Sequence, residues 1–219
     1  MIPLSDSQKP KSFPWATWAL AAGMVGVFVR EFTLGDRIPA FLDRWAFHPA
    51  ALAAMSTGDP RSLWPLVTLL SALFLHAGLL HLAGNLAFLV VFGDDVEGRL
   101  GGWRYLALFL ASGAAASLAQ AAASPHRQGA IVGASGAIAG ILGCFLVLFP
   151  RARIGGVLPL GCLILPAKSR AFLFLPVWFA IQLVSALLQP AGQGAGVAWY
   201  AHLAGFAVGP VLYFLLRRR

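Results

Sequence analysis

Residues 63–92 form an almost unbroken apolar stretch. As one helix it would be about 45 Å long, well beyond the roughly 30 Å hydrocarbon layer of a bilayer. The stretch must therefore be interrupted, and Pro65 and the His76-Ala77-Gly78 triplet mark the breaks. Residues 63–75 are expected to lie in the interface or dip in from one side, with a crossing helix over 79–96. Further apolar runs at 13–29, 103–121, 135–149, 171–188 and 199–216 alternate with clusters of charge. With 59% hydrophobic and only 11% charged residues, the chain leaves no room for a sizeable water-soluble domain. The pattern predicts an all-α fold, a polytopic membrane bundle of six transmembrane helices over residues 13–216. A short cytoplasmic tail, 1–12, precedes it and a basic tail, 217–219, follows.

The net charge of +8 does not point to nucleic acid, because the basic residues sit beside the ends of apolar runs rather than in an aromatic-interleaved patch. Six spans put both termini on one side. That side collects Lys9, Lys11, Arg99, Arg104, Arg151, Arg153, Lys168, Arg170 and Arg217 to Arg219. The other holds only Arg30, Arg37, Arg44, Arg61 and Arg127. Basic residues favour the cytoplasmic face, so both termini are expected there. The first run carries no clear cleavage signal and reads as a retained span. Cys144 and Cys162 form no ligand-spaced cluster and read as packing residues without a disulfide.

Polar groups inside spans are costly and mark function by default. His81 and Asn85 lie four apart, on one face near the outer end of the second span. Ser135 opens the fourth span within Gly133-Ala134-Ser135-Gly136, at a helix N-terminus whose unpaired N–H groups favour an oxyanion. That span is only about 22 Å long, so its serine end is expected below the outer surface. His202 opens the sixth span, at similar depth. Gly136 and Gly140 on one helix and Gly205 and Gly209 on the other, with Gly133 ahead of them, supply small-residue packing faces. Close approach of the two helices brings a hydroxyl nucleophile to an imidazole base. The plainer alternative makes Ser135 one more small packing residue, and the histidines and Asn85 interhelical hydrogen-bonding groups. No acid lies deep in the outer half of a span to complete a triad, which favours a Ser-His dyad. His81 and Asn85 then serve as oxyanion donors with the Ser135 N–H.

His76-x4-His81-x3-Asn85, Gly133-x-Ser135-Gly136-x3-Gly140 and Ala201-His202-x2-Gly205-x3-Gly209 resemble the three signatures of the rhomboid family of intramembrane serine proteases. Val96-Glu97-Gly98-Arg99 resembles that family's end of the second span. The resemblance implies Ser135 as nucleophile, His202 as base, His81 and Asn85 at the oxyanion hole, and a structural His76. It further implies transmembrane protein substrates in a lipid bilayer, with no cofactor, metal or nucleic acid, and a bacterial inner-membrane location with the site opening outward. Two departures stand out. Trp64 is followed by Pro65 where several bacterial members have arginine, and Ala139 replaces an aromatic residue that supports the histidine. Trp199, Tyr200 or Phe145 can take over that support. The 189–196 loop and the fifth span are the expected cap and gate. A silent rhomboid-like binder of transmembrane clients is the alternative, and a His76-His81-His202 metal site is disfavoured for want of a carboxylate partner.

Overall fold

A computed structural model describes residues 1–8, 12–53, 63–124, 129–161, 163–189 and 196–217. The long helices are α1 (Trp15–Thr33), α5 (Leu79–Leu100), α6 (Gly102–Ala123), α7 (Ser135–Leu148), α8 (Ala171–Leu188) and α9 (Trp199–Leu216). Their bounds follow the apolar runs closely. Short helices α2 (Ile38–Trp45), α3 (Pro49–Ala53) and α4 (Trp64–Ser71) lie among the described residues of the connection between α1 and α5. The long apolar stretch breaks as its punctuation requires: α4 runs into a 3-10 turn at Ala72–Phe74, and α5 starts directly after Gly78.

The chain is an integral membrane protein built as a helical bundle. Among the described residues α5, α6, α8 and α9 are long and apolar enough to cross a bilayer, and α1 with the helical segment after its 113° bend forms a fifth candidate. α7 has 14 residues, a length of roughly 21 Å, and so falls short of a full crossing. It runs through the middle of the bundle, packed against α5, α6, α8 and α9. Every residue from Gly136 to Phe145 is buried. Its composition of Gly, Ala and aliphatic residues is what a helix surrounded on all sides requires. α8 is peripheral by contrast, with Phe172, Leu173, Val177, Ile181, Val184 and Leu187 exposed.

The bundle also carries a three-stranded antiparallel sheet, β1 (Ile2–Asp6), β2 (Arg153–Leu160) and β3 (Leu163–Arg170), in the order β1-β2-β3. From the sequence, 154–166 are expected to form a broken apolar loop and 1–12 a short tail. Instead the hairpin pairs Arg153 with Arg170 through Leu160 with Leu163, and Ile2 pairs with Val157. Gly156 makes this possible, since a Cβ there would collide with the Ile2 carbonyl.

Glu97 explains how α1 and α5 lock together. Its carboxylate accepts the Ala16 N–H at 3.0 Å, and the Thr17 N–H and hydroxyl, each at 2.8 Å. α1 thus receives from a neighbouring helix the N-terminal cap that its own Pro14 lacks. Cys144 is buried and free, as the packing role requires, while Cys162 lies outside the described residues.

Candidate active site

Gly133 occupies a backbone conformation, φ +108°, that side-chain-bearing residues rarely adopt. Its N–H donates to the Ala72 carbonyl at 2.8 Å, and Ile131 pairs with Phe47 two residues earlier. These bonds fix the chain entering α7. Ile138 N–H donates to the Ala134 carbonyl at 2.9 Å, so the N–H groups of Ser135, Gly136 and Ala137 precede the helix's own hydrogen-bond ladder. Ser135 stands at this N-terminus, half-buried.

The seam between α7 and α9 is built from glycine. A Cβ on Gly205 would run into the Gly136 carbonyl, and one on Gly209 into the Gly140 carbonyl. Gly136 and Gly140 also turn toward α6, where Ala116 and Ser112 lie against them. Gly133 needs a correction: it belongs to the loop before α7, and a Cβ there would sit 2.7 Å from His81 Nε2, so it makes room for that ring rather than for a helix.

This close seam brings His202 Nε2 to 2.8 Å from Ser135 Oγ. His202 is buried, with the rings of Trp199 and Trp178 each 6.0 Å from its own. Of the three aromatics considered from sequence, Trp199 is the one beside the imidazole. Tyr200 instead donates to the Ala186 carbonyl and Phe145 packs on Phe92 and Phe149, while Trp178 was not foreseen.

His81 Nδ1 accepts the Ala77 N–H at 3.4 Å, which leaves the ring proton on Nε2, the atom facing Gly133. Asn85 is buried with its Nδ2 unpartnered, 3.6 Å from where a Gly133 Cβ would lie. Two free donors therefore converge on the loop that leads into Ser135. His76 stands one step back, its Nδ1 3.1 Å from the Phe74 carbonyl and its ring edge-on to His81. Burial, with a lesser effect of the His81 ring, pushes its imidazole down from the usual 6.5 to about 4, so it is neutral at physiological pH.

No carboxylate bonds His202 among the described residues. Glu31, buried at the end of α1, faces the His76 N–H, and Asp94 and Asp95 lie at the other end of α5. Two glutamines escaped the sequence reading. Gln120 on α6 accepts the Ala201 N–H at 3.3 Å and so holds the start of α9. Gln182 on α8 places Oε1 2.8 Å from His202 Nδ1. The signal was available, since each is an uncharged amide inside an apolar run. At the Trp64-Pro65 departure, Arg44 lies over the rings of Trp64 and Trp45, and Trp64 Nε1 donates to the Arg44 carbonyl.

The rhomboid domain family matches this sequence over residues 60–219. The chain belongs to the rhomboid family. Rhomboid relatives include RHOMBOID-like protein 1 of Arabidopsis thaliana, 27% identical over 93% of this chain and 53% of its own length. RHOMBOID-like protein 5 of the same plant is 38% identical over 36% of this chain and 25% of its own. Inactive rhomboid protein 1 of Homo sapiens is 34% identical over 65% of this chain and 15% of its own. This rhomboid thus spans about half of the first relative and a small part of the others.

Proposed function

We propose that this rhomboid is an intramembrane serine endopeptidase that cuts within or beside transmembrane helices of membrane-protein substrates. The 2.8 Å approach of His202 Nε2 to Ser135 Oγ carries the reading. Ser135 Oγ attacks the scissile carbonyl carbon while His202 Nε2 takes the hydroxyl proton. The carbonyl oxygen becomes an oxyanion that accepts from the Ser135 N–H, His81 Nε2–H and Asn85 Nδ2–H. Collapse breaks the C–N bond, His202 returns the proton to the leaving amine, and water then hydrolyses the acyl-serine with the imidazole again as base.

A helical substrate has its carbonyls hydrogen-bonded, so it must unwind before attack. Substrates with Gly or Pro near the outer face and a small residue before the cut are the expected class. Six spans, α7 included, would place both termini in the cytoplasm and the serine in the outer half of a bacterial inner membrane. Peripheral α8 is the candidate gate. Of the proposed cap, residues 190–195 lie outside the described residues.

The similarity to proteins named inactive rhomboids favours a second reading, a silent binder of transmembrane clients. Purified chain and a reporter transmembrane substrate separate the two. Cleavage by wild type, lost in both Ser135→Ala and His202→Ala, is the expected result. An inert wild type that still captures the substrate would favour the binder, and cleavage undiminished in both variants would remove the dyad.

A further inference from the structure

The partner of His202 on the side away from Ser135 is an amide. Gln182 Oε1 lies 2.8 Å from His202 Nδ1, and both side chains are buried. We infer that Gln182 is the positioning residue of this site, holding His202 in the one tautomer that can accept the Ser135 proton. The inference rests on the protease reading above.

The argument begins with what each atom can do. The Gln182 amide has an oxygen that only accepts and a nitrogen that only donates. Its Nε2 lies 3.3 Å from the Trp178 carbonyl, one helical turn earlier on α8, and a carbonyl can pair only with the nitrogen. The amide is therefore anchored from its own helix with Oε1 turned toward the imidazole. An oxygen that only accepts requires a proton on His202 Nδ1. Nε2 must then carry the lone pair, and it is this atom that faces Ser135 Oγ. With the opposite tautomer, the Gln182 oxygen would face an unprotonated nitrogen and Ser135 would face a nitrogen unable to act as base.

A neutral amide differs from a carboxylate in this position. It fixes tautomer and ring orientation, as a carboxylate does, but places no full charge beside the imidazolium formed during attack. It also avoids burying an anion in an apolar bundle where no cation pairs with it.

The test compares Gln182→Met, which keeps side-chain length and apolar packing but has no acceptor of comparable strength, with Gln182→Glu, which keeps the acceptor. Two rates are read on the purified full chain: cleavage of a reporter transmembrane substrate, and labelling of Ser135 by a fluorophosphonate, which needs no substrate entry. The expected result for Gln182→Met is a fall of at least about tenfold in kcat and in labelling rate, with KM within about twofold. This is smaller than the ~10⁴ that tautomer loss costs where the partner is a carboxylate. Gln182→Glu should exceed Gln182→Met in both rates even though it buries the worse group, because an acceptor on His202 Nδ1 ranks the variants that way and packing alone does not. A pure packing role ranks methionine equal to or above glutamate, and that order would overturn the inference. So would an unchanged or faster Gln182→Met, which would make the bond a latch on α8. Failure of the underlying reading looks different: wild-type Ser135 would resist the label, or Ser135→Ala would still cleave.

Discussion

Gly133 is the residue on which the geometry of the site turns. Its positive φ and the His81 ring beside it leave no place for a side chain. Gly133→Ala should cost about 1–3 kcal/mol of stability through the backbone. By displacing His81 and the entry to α7 it should lower cleavage about 100-fold. Reporter cleavage and thermal unfolding in detergent check both, and wild-type activity in the variant would show that the ring has room to move. His76 predicts a pH effect. Its imidazole is held near 4 in the fold against 6.5 when free, so the unfolded chain binds the proton that the folded chain refuses. Its contribution is complete above 6.5 and drains away as pH falls toward 4, by on the order of 2–3 kcal/mol. Unfolding midpoints from pH 7 to 4 should fall less steeply in His76→Gln than in wild type, and parallel curves would contradict the assignment. At this scale the sequence was legible where a polar group interrupted an apolar run beside a small-residue face or a second polar residue one turn away: Ser135, His81, Asn85 and His202 all converge. Gln182 and Gln120 carry the same signal, an uncharged amide inside an apolar run, but their partners, His202 and the Ala201 N–H, lie on another helix and only the packing of α6, α8 and α9 brings them together.

At the scale of elements, the helices were readable because apolar run length and charge clusters report directly on crossing segments. The strands were not. β2 and β3 contain Gly155, Gly156, Pro159 and Pro166, residues that usually mark loops, and the hairpin tip exposes Leu158, Leu163, Ile164 and Leu165 without polar alternation. Period-two patterning therefore has nothing to register. The junction of α1 with α5 gives the element-scale prediction. Each hydrogen bond to the Glu97 carboxylate is charge-assisted and buried. Glu97→Ala should cost at least about 2–3 kcal/mol, since the start of α1 loses its acceptors. Glu97→Gln, which keeps one carbonyl acceptor, should fall between that variant and wild type. Equal unfolding midpoints for all three would show that water caps α1 as well.

For the molecule as a whole, orientation rests on the sequence alone: Arg99, Arg104, Arg151, Arg153, Lys168 and Arg170 sit beside those ends of the apolar runs that the charge rule assigns to the cytoplasm. With those ends in the cytoplasm, an impermeant maleimide applied to intact cells should label Gln189→Cys and leave Ser169→Cys untouched, in a Cys162→Ser background. The reverse pattern would invert the assigned topology. The sheet adds a constraint of another kind. β1 emerges from the ribosome long before β2, its partner in the register Ile2 with Val157. Between the two, α1, α5, α6 and α7 must already have been synthesised. The first strand therefore stays unpaired until those helices have been made, and its closure works as a clasp that ties the start of the chain to a segment made after α7.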